Sequence, residues 1–235
     1  MVKKEFIIGI DDAGRGPIIG PMILAGVLAS KEQEKILKDA GVKDSKMLSH
    51  GKRVALAEII KKNSLKTSVF QASPEEIDEF VESKSNLNTL EALKAGEIIN
   101  ALNDKMSKIK VIVDCPSVNT SAWRKKLLEF VKHPDNLDVH CEHKADVNYP
   151  VVSAASIIAK VAREDEVAEI RQKNFSFGDI GSGYPSDPAT KAFLKKNGKA
   201  LENSGIFRKS WQTWKDLYGS QPRDKSKKQS SLEDF

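Results

Sequence analysis

Two aspartates, Asp11 and Asp12, stand side by side in FIIGIDDAGRGP, where an apolar, β-branched run gives way to a glycine-bracketed arginine. Asp114 closes a second buried-strand pattern, KIKVIVD, and ligand sites in α/β sheets gather at such carboxyl ends. Asp146 follows in HKADVNYP, just ahead of an alanine-rich stretch whose packing on a sheet would bring it to the same edge. Four converging carboxylates need a cation or a shared proton, because like charges crowd unfavourably. A hard-oxygen set without thiolate or imidazole favours magnesium or manganese. Two such ions close together activate a water and stabilise a leaving oxygen in phosphodiester hydrolysis. Taken singly, each aspartate is equally an ordinary turn or cap residue, and the spacing by itself does not name a nuclease.

Other chemistries find no support. A dinucleotide fingerprint starting at Gly14 reaches Gly16 but then meets Ile19, and no G-K-[ST] phosphate loop occurs. An aspartyl-phosphate enzyme would want an acid two residues after Asp11, where Ala13 stands. His50, His133, His140 and His143 lie outside any nucleophile motif. Cys115 and Cys141 lack metal or redox spacing and read as small apolar residues.

The elements that must position these acids follow from periodicity. Strands are expected over 6–10, 18–29, 68–72, near 109–114 and around 137–142, and helices over 31–40, 51–63, 88–104, 121–132, 151–173, 187–197 and 208–218. Ser73-Pro74 reads as an N-cap with proline at the first helical position, and Pro150 starts the alanine-rich helix. Strands interleaved with helices argue for an α/β domain with a mixed central sheet.

The 235 residues are 40% hydrophobic and 30% charged, an ordinary globular balance. No run approaches the roughly 20 apolar residues of a membrane span, and MVKKEF leads into a strand rather than a signal peptide, so a cytoplasmic location is expected. The net charge of +5 favours a polyanionic partner, although Arg223, Lys225, Lys227 and Lys228 place part of it near the end. Residues from about 220 read as a flexible tail, and the absence of a heptad or symmetric apolar stripe leads us to expect a monomer.

GIDDAGRGPIIGPM, VKDSK, the aspartate of VIVD, HKADVNYPVVSAASIIAKV, GSGYPSDP and FRKSW together resemble ribonuclease HII, the type 2 ribonuclease H, in its archaeal form, over about residues 6–215. The resemblance implies a ribonuclease H-like mixed β-sheet flanked by helices, with a helical C-terminal part from about 187 in a catalytic domain spanning 1–219. It implies endonucleolytic cleavage of the RNA strand in RNA–DNA hybrids and at single ribonucleotides embedded in duplex DNA, leaving 3′-hydroxyl and 5′-phosphate ends, with roles in ribonucleotide excision repair and RNA primer removal. Two Mg2+ or Mn2+ ions would be held by Asp11, Asp12, Asp114 and Asp146. Gly14, Arg15 and Gly16 match the loop that approaches the ribose, where missing side chains permit close backbone contact with a 2′-hydroxyl. Tyr184 matches the tyrosine beside the sugar at the RNA–DNA junction, and Lys46, Lys160, Arg208 and Ser210 match phosphate contacts. The family usually carries glutamate where this chain has Asp12. The shorter arm puts metal affinity and rate in question, and the alternative is a weakly active or inactive hybrid-binding module.

Gln229, Leu232 and Phe235 in KKQSSLEDF take the spacing Q-x-x-L-x-x-F. This resembles the box by which repair proteins dock on the replication sliding clamp, Leu232 and Phe235 inserting as anchors while Gln229 fills a polar pocket. The usual box has a second aromatic after the position of Phe235. The competing reading is a polar tail that ends on phenylalanine.

Overall fold

The computed structural model describes residues 5–42, 48–83, 85–105 and 107–219. A five-stranded sheet in the order β3-β2-β1-β4-β5 forms its centre. The strands are β1 (Phe6–Ala13), β2 (Met22–Ser30), β3 (Lys66–Ala72), β4 (Ile109–Asp114) and β5 (Leu137–Glu142). β1, β2 and β3 pair antiparallel as a meander, while β4 and β5 add in parallel to the other side of β1.

Strand alternation sorts the side chains into two cores. Ile8 and Ile10 of β1, Leu24 of β2 and Val111 and Val113 of β4 face α3 (Pro74–Glu82), α4 (Leu87–Leu102) and α5 (Thr120–Leu128). Ile7, Ala25, Val27 and Ile112 face α1 (Lys31–Asp39), α2 (His50–Asn63) and α7 (Pro150–Lys173), with the short α6 (Ala145–Asn148) leading into α7. A third cluster joins Ile18, Ile19 and Val167 to α8 (Pro188–Asn197) and α9 (Gln212–Tyr218) through Phe193, Leu194, Phe207 and Trp214. Gly9 allows α7 to dock: a Cβ there would lie 2.5 Å from the backbone of Val151. Among the described residues no helix is long and apolar enough to cross a membrane.

The sequence expectations need adjustment at four places. β1 continues through Asp11 and Asp12 to Ala13, because β2 keeps pairing with it as far as Ala13↔Ile23. β2 starts at Met22, since Ile18 and Ile19 donate their N–H groups to Gly183 and belong to the loop before it. The last helix begins at Gln212, because the Lys209 and Ser210 N–H groups are taken by the Asp78 carboxylate at 2.6 and 2.9 Å. The helix after Asn119 stops at Leu128.

Candidate active site

Asp11 and Asp114 share one face of the sheet. The β1–β4 register ends at Ile10↔Val113, so these two aspartates are the next pair along, both with the parity of the face covered by α7. Asp114 Oδ1 accepts the Ala145 N–H at 2.9 Å, which fastens α6 to the end of β4 and brings buried Asp146 to the same edge. Asp12 has the opposite parity and turns toward α4. All four carboxylates line an open groove of about 500 Å³.

This crowding has an electrostatic signature. Burial pushes the Asp11 carboxyl well above the usual carboxylate range; the charges of Asp12 and Asp114 add to the shift, and a hydrogen bond from Ser156 opposes it. Asp12 is raised too, by burial first and then by Glu91, against the pull of Arg15. A bound cation would relieve both, and the donors are hard oxygens suited to magnesium or manganese. Among the described residues no three His, Cys, Asp or Glu side chains are already gathered to hold a metal ion.

Beyond Ala13 the chain turns at Gly14, whose φ of 86° belongs to the left-handed region that suits glycine. Three successive carbonyls of this turn are captured from behind. Arg208 donates to Gly14 O at 2.6 Å and Arg15 O at 2.8 Å, and Trp211 Nε1 donates to Gly16 O at 3.2 Å. Among the described residues no peptide bond is cis, so the Arg15 and Gly16 N–H groups point opposite to the two carbonyls that Arg208 holds. Among the described residues neither N–H takes an acceptor. The Arg15 side chain folds the other way, ion-pairing with Glu91 and donating to Asn88 Oδ1 at 2.7 Å, both on α4.

The remaining expected residues fall in different places. Tyr184 lines the groove and abuts the turn, since a Cβ on Gly16 would lie 3.4 Å from its ring. Its loop is braced by Asp187, which accepts the Ser182 N–H at 2.6 Å. Lys160 also lines the groove and donates to Ser156 Oγ at 2.8 Å, forming a chain from Lys160 through Ser156 to Asp11. Arg208 does not reach the surface. It is fully buried, with a third bond to Gly20 O at 3.0 Å, so in this structure it braces the turn from behind. Ser210 Oγ is spent on Asp78 Oδ1 at 2.6 Å and does not line the groove. Lys46, Gln229, Leu232 and Phe235 lie outside the described residues.

Sequence reasoning missed Glu91, Ser156, Arg163 and Arg53. Arg163, on α7, stacks its guanidinium 5.5 Å from the Tyr184 ring centre and leaves Nε and Nη2 buried without an acceptor. Arg53 lines the groove and is ion-paired with Glu164. Position within HKADVNYPVVSAASIIAKV was the available signal for Ser156, which lies one helical turn before Lys160. Arg163 lies just beyond it, three residues after Lys160.

A mixed sheet that delivers aspartates from two neighbouring parallel strands to one edge, with a helix-borne fourth acid beside them, defines a ribonuclease H-like fold. A family model described as Ribonuclease HII matches residues 8–214, and the chain belongs to the ribonuclease HII family. Ribonuclease HII of Methanococcus maripaludis strain C6 is 42% identical, the match spanning 91% of this chain and 87% of the relative. That of Methanocaldococcus jannaschii is 41% identical over 94% and 96%. The crystal structure of ribonuclease H2 from Pyrococcus horikoshii OT3 superposes with a TM-score of 0.80 at 37% identity, covering 90% of this chain and 96% of that one. The structure of the PCNA:RNase HII complex from Archaeoglobus fulgidus gives 0.76 at 41% identity, over 88% and 95%. The chain is therefore an enzyme, a hydrolase of the ribonuclease H class that acts on RNA–DNA hybrids.

Proposed function

We propose that this chain cuts the RNA strand of RNA–DNA hybrids, and single ribonucleotides within duplex DNA, by hydrolysis that leaves 3′-hydroxyl and 5′-phosphate ends. The observation that carries the reading is the placement of Asp11, Asp12, Asp114 and Asp146 on one groove with the Gly14–Gly16 turn and Tyr184. Asp11, Asp12, Asp114 and Asp146 would be the groups that hold the two ions. Bound there, Mg2+ or Mn2+ supplies an activated water and neutralises charge on the leaving oxygen.

The chain's own groups do the selecting. The Arg15 and Gly16 N–H groups meet a 2′-hydroxyl, which DNA lacks. Tyr184 packs against the sugar at the junction, held by Arg163. Lys160 and Arg163 supply positive charge to the phosphates, and Lys46 is proposed for the same role. Ser156 keeps Asp11 oriented. Ribonucleotide removal and primer processing are the roles such a specificity serves. The Gln229, Leu232 and Phe235 tail is proposed to dock on a sliding clamp, a reading supported by the Archaeoglobus fulgidus relative solved with PCNA.

The test is a cleavage map on end-labelled duplex DNA carrying one ribonucleotide, with Mg2+ or Mn2+, for this chain and for Asp114→Asn. Cleavage beside the ribonucleotide, lost in the variant, is expected. No cleavage with either ion, by this chain or by Asp12→Glu, overturns the assignment and leaves a hybrid-binding module.

A further inference from the structure

Behind the carboxylate cluster, on the α4 side of the sheet, lies a small crevice walled by Asp11, Asp12, Asp114, Glu91, Pro116 and Trp123. Its usable room is about 10 Å³, near what one water requires. Strand parity explains why Asp12 faces it, since Asp12 shares the face of Ile8 and Ile10 that α4 covers. Across it stands Glu91, only 1% exposed. One of its carboxylate oxygens pairs with Arg15, while Oε1 is buried and has no hydrogen-bond partner.

We infer that Glu91 is a fifth carboxylate of the metal centre, holding a cation-bound water across the crevice to the short arm of Asp12. The chemistry of the walls points to that occupant. The polar side chains facing the space are carboxylates, which only accept once a cation has displaced their protons, and Trp123 Nε1 already donates to Asn88 O at 2.9 Å. A water there can give its protons to Glu91 Oε1 and Asp12, but its own lone pairs then need a positive partner. A divalent ion held among these carboxylates would supply one. Asp12 leaves room for this water, whereas glutamate at the same position would extend one methylene into it. The inference rests on the metal-binding reading under the proposed function.

Calorimetric titration of Mn2+ into the full chain, without nucleic acid, separates the two ideas. Glu91→Gln keeps an oxygen for Arg15 but removes the charge and turns an amide donor into the crevice. About tenfold weaker Mn2+ binding is expected, the scale typical of groups that orient a metal's inner ligands. In an Asp12→Glu background the same change is expected to cost less than about threefold, because glutamate has displaced the water. If the unaltered chain binds no Mn2+, the metal reading itself falls. If it binds and Glu91→Gln binds equally well, or loses equally in both backgrounds, only the role of Glu91 is overturned. Should Glu91→Gln fail to fold, water-proton relaxation of Mn2+-loaded protein decides. Asp12→Glu is expected to hold one metal-bound water fewer than the unaltered chain, and equal numbers overturn the inference.

Discussion

Replacing Arg208 by methionine separates its role as a strut from that of a substrate contact. The guanidinium is fully buried and satisfies the carbonyls of Gly14, Arg15 and Gly20 at 2.6, 2.8 and 3.0 Å, with the Trp211 ring 5.0 Å away. Burial, helped by the charge of Arg163, pulls its pKa down to about 9, so it remains charged at neutral pH. Methionine keeps most of the volume but strands three acceptors, each costing about 1–3 kcal/mol if it stays dry. Relief from burying a charge offsets part of this, and a net loss of about 4 kcal/mol is expected, within the range for breaking a buried charged interaction. For a chain of this length that lowers Tm by about 10 °C. Thermal denaturation of Arg208→Met, beside cleavage of a single-ribonucleotide duplex at several salt concentrations, reads both roles. The strut predicts a large Tm loss, weakened preference for the ribonucleotide and an unchanged salt slope. A Tm within about 2 °C of the unaltered chain, with the salt slope reduced by about one, would refute the reasoning and make Arg208 a phosphate contact.

The raised proton affinity of Asp11 and Asp12 makes the folded, metal-free protein bind more protons than the unfolded chain above the ordinary carboxylate pKa of 3.8. This pair's contribution is greatest below that value and is lost as pH climbs, so Tm in chelator should fall from about pH 5 to about pH 8 and recover on adding Mg2+ or Mn2+; a flat profile counts against the buried pair. Mn2+ binding near neutral pH should release protons, seen as calorimetric heats that depend on the buffer's ionisation enthalpy. Ser156→Ala removes the bond that lowers the Asp11 pKa, so Mn2+ affinity should fall about tenfold with little change in the chelator-measured Tm. Gly9→Ala places a Cβ 2.5 Å from the Val151 backbone and should cost about 3 kcal/mol or more by denaturant unfolding.

Much of the fold was legible because its signals are local. FIIGI and KIKVIVD carry the β-branched density of buried strands, Ser73-Pro74 starts a helix as capping rules require, and the alanine-rich helix begins at Pro150. The shortfalls arise where distant groups overrule local preference. Residues 208–211 carry no strong helix breaker, yet Asp78, more than a hundred positions earlier, takes two of their N–H groups. α6 has four residues and takes the Asp114 carboxylate as its N-terminal anchor, a partner 31 positions away that no periodicity encodes. Arg15 pairs with Glu91 across 76 positions, and in LEALKAGEII that glutamate reads as one more polar residue on a helix.

The adjacent pair illustrates the limit most sharply. Neighbouring residues on a strand point to opposite faces, so Asp11 and Asp12 cannot present their carboxylates as twins. Asp11 joins Asp114 beneath α7, with Ser156 and Lys160 to orient it. Asp12 turns toward α4, where Glu91 and Arg15 set its surroundings. The pair therefore straddles the sheet edge, although Lys160 of α7 acts on Asp12 as well. The β1 backbone at this pair is held by β2 through Ala13 and by β4 through Ile10. A glutamate at position 12 would reach further toward α4, where Glu91 stands across the crevice.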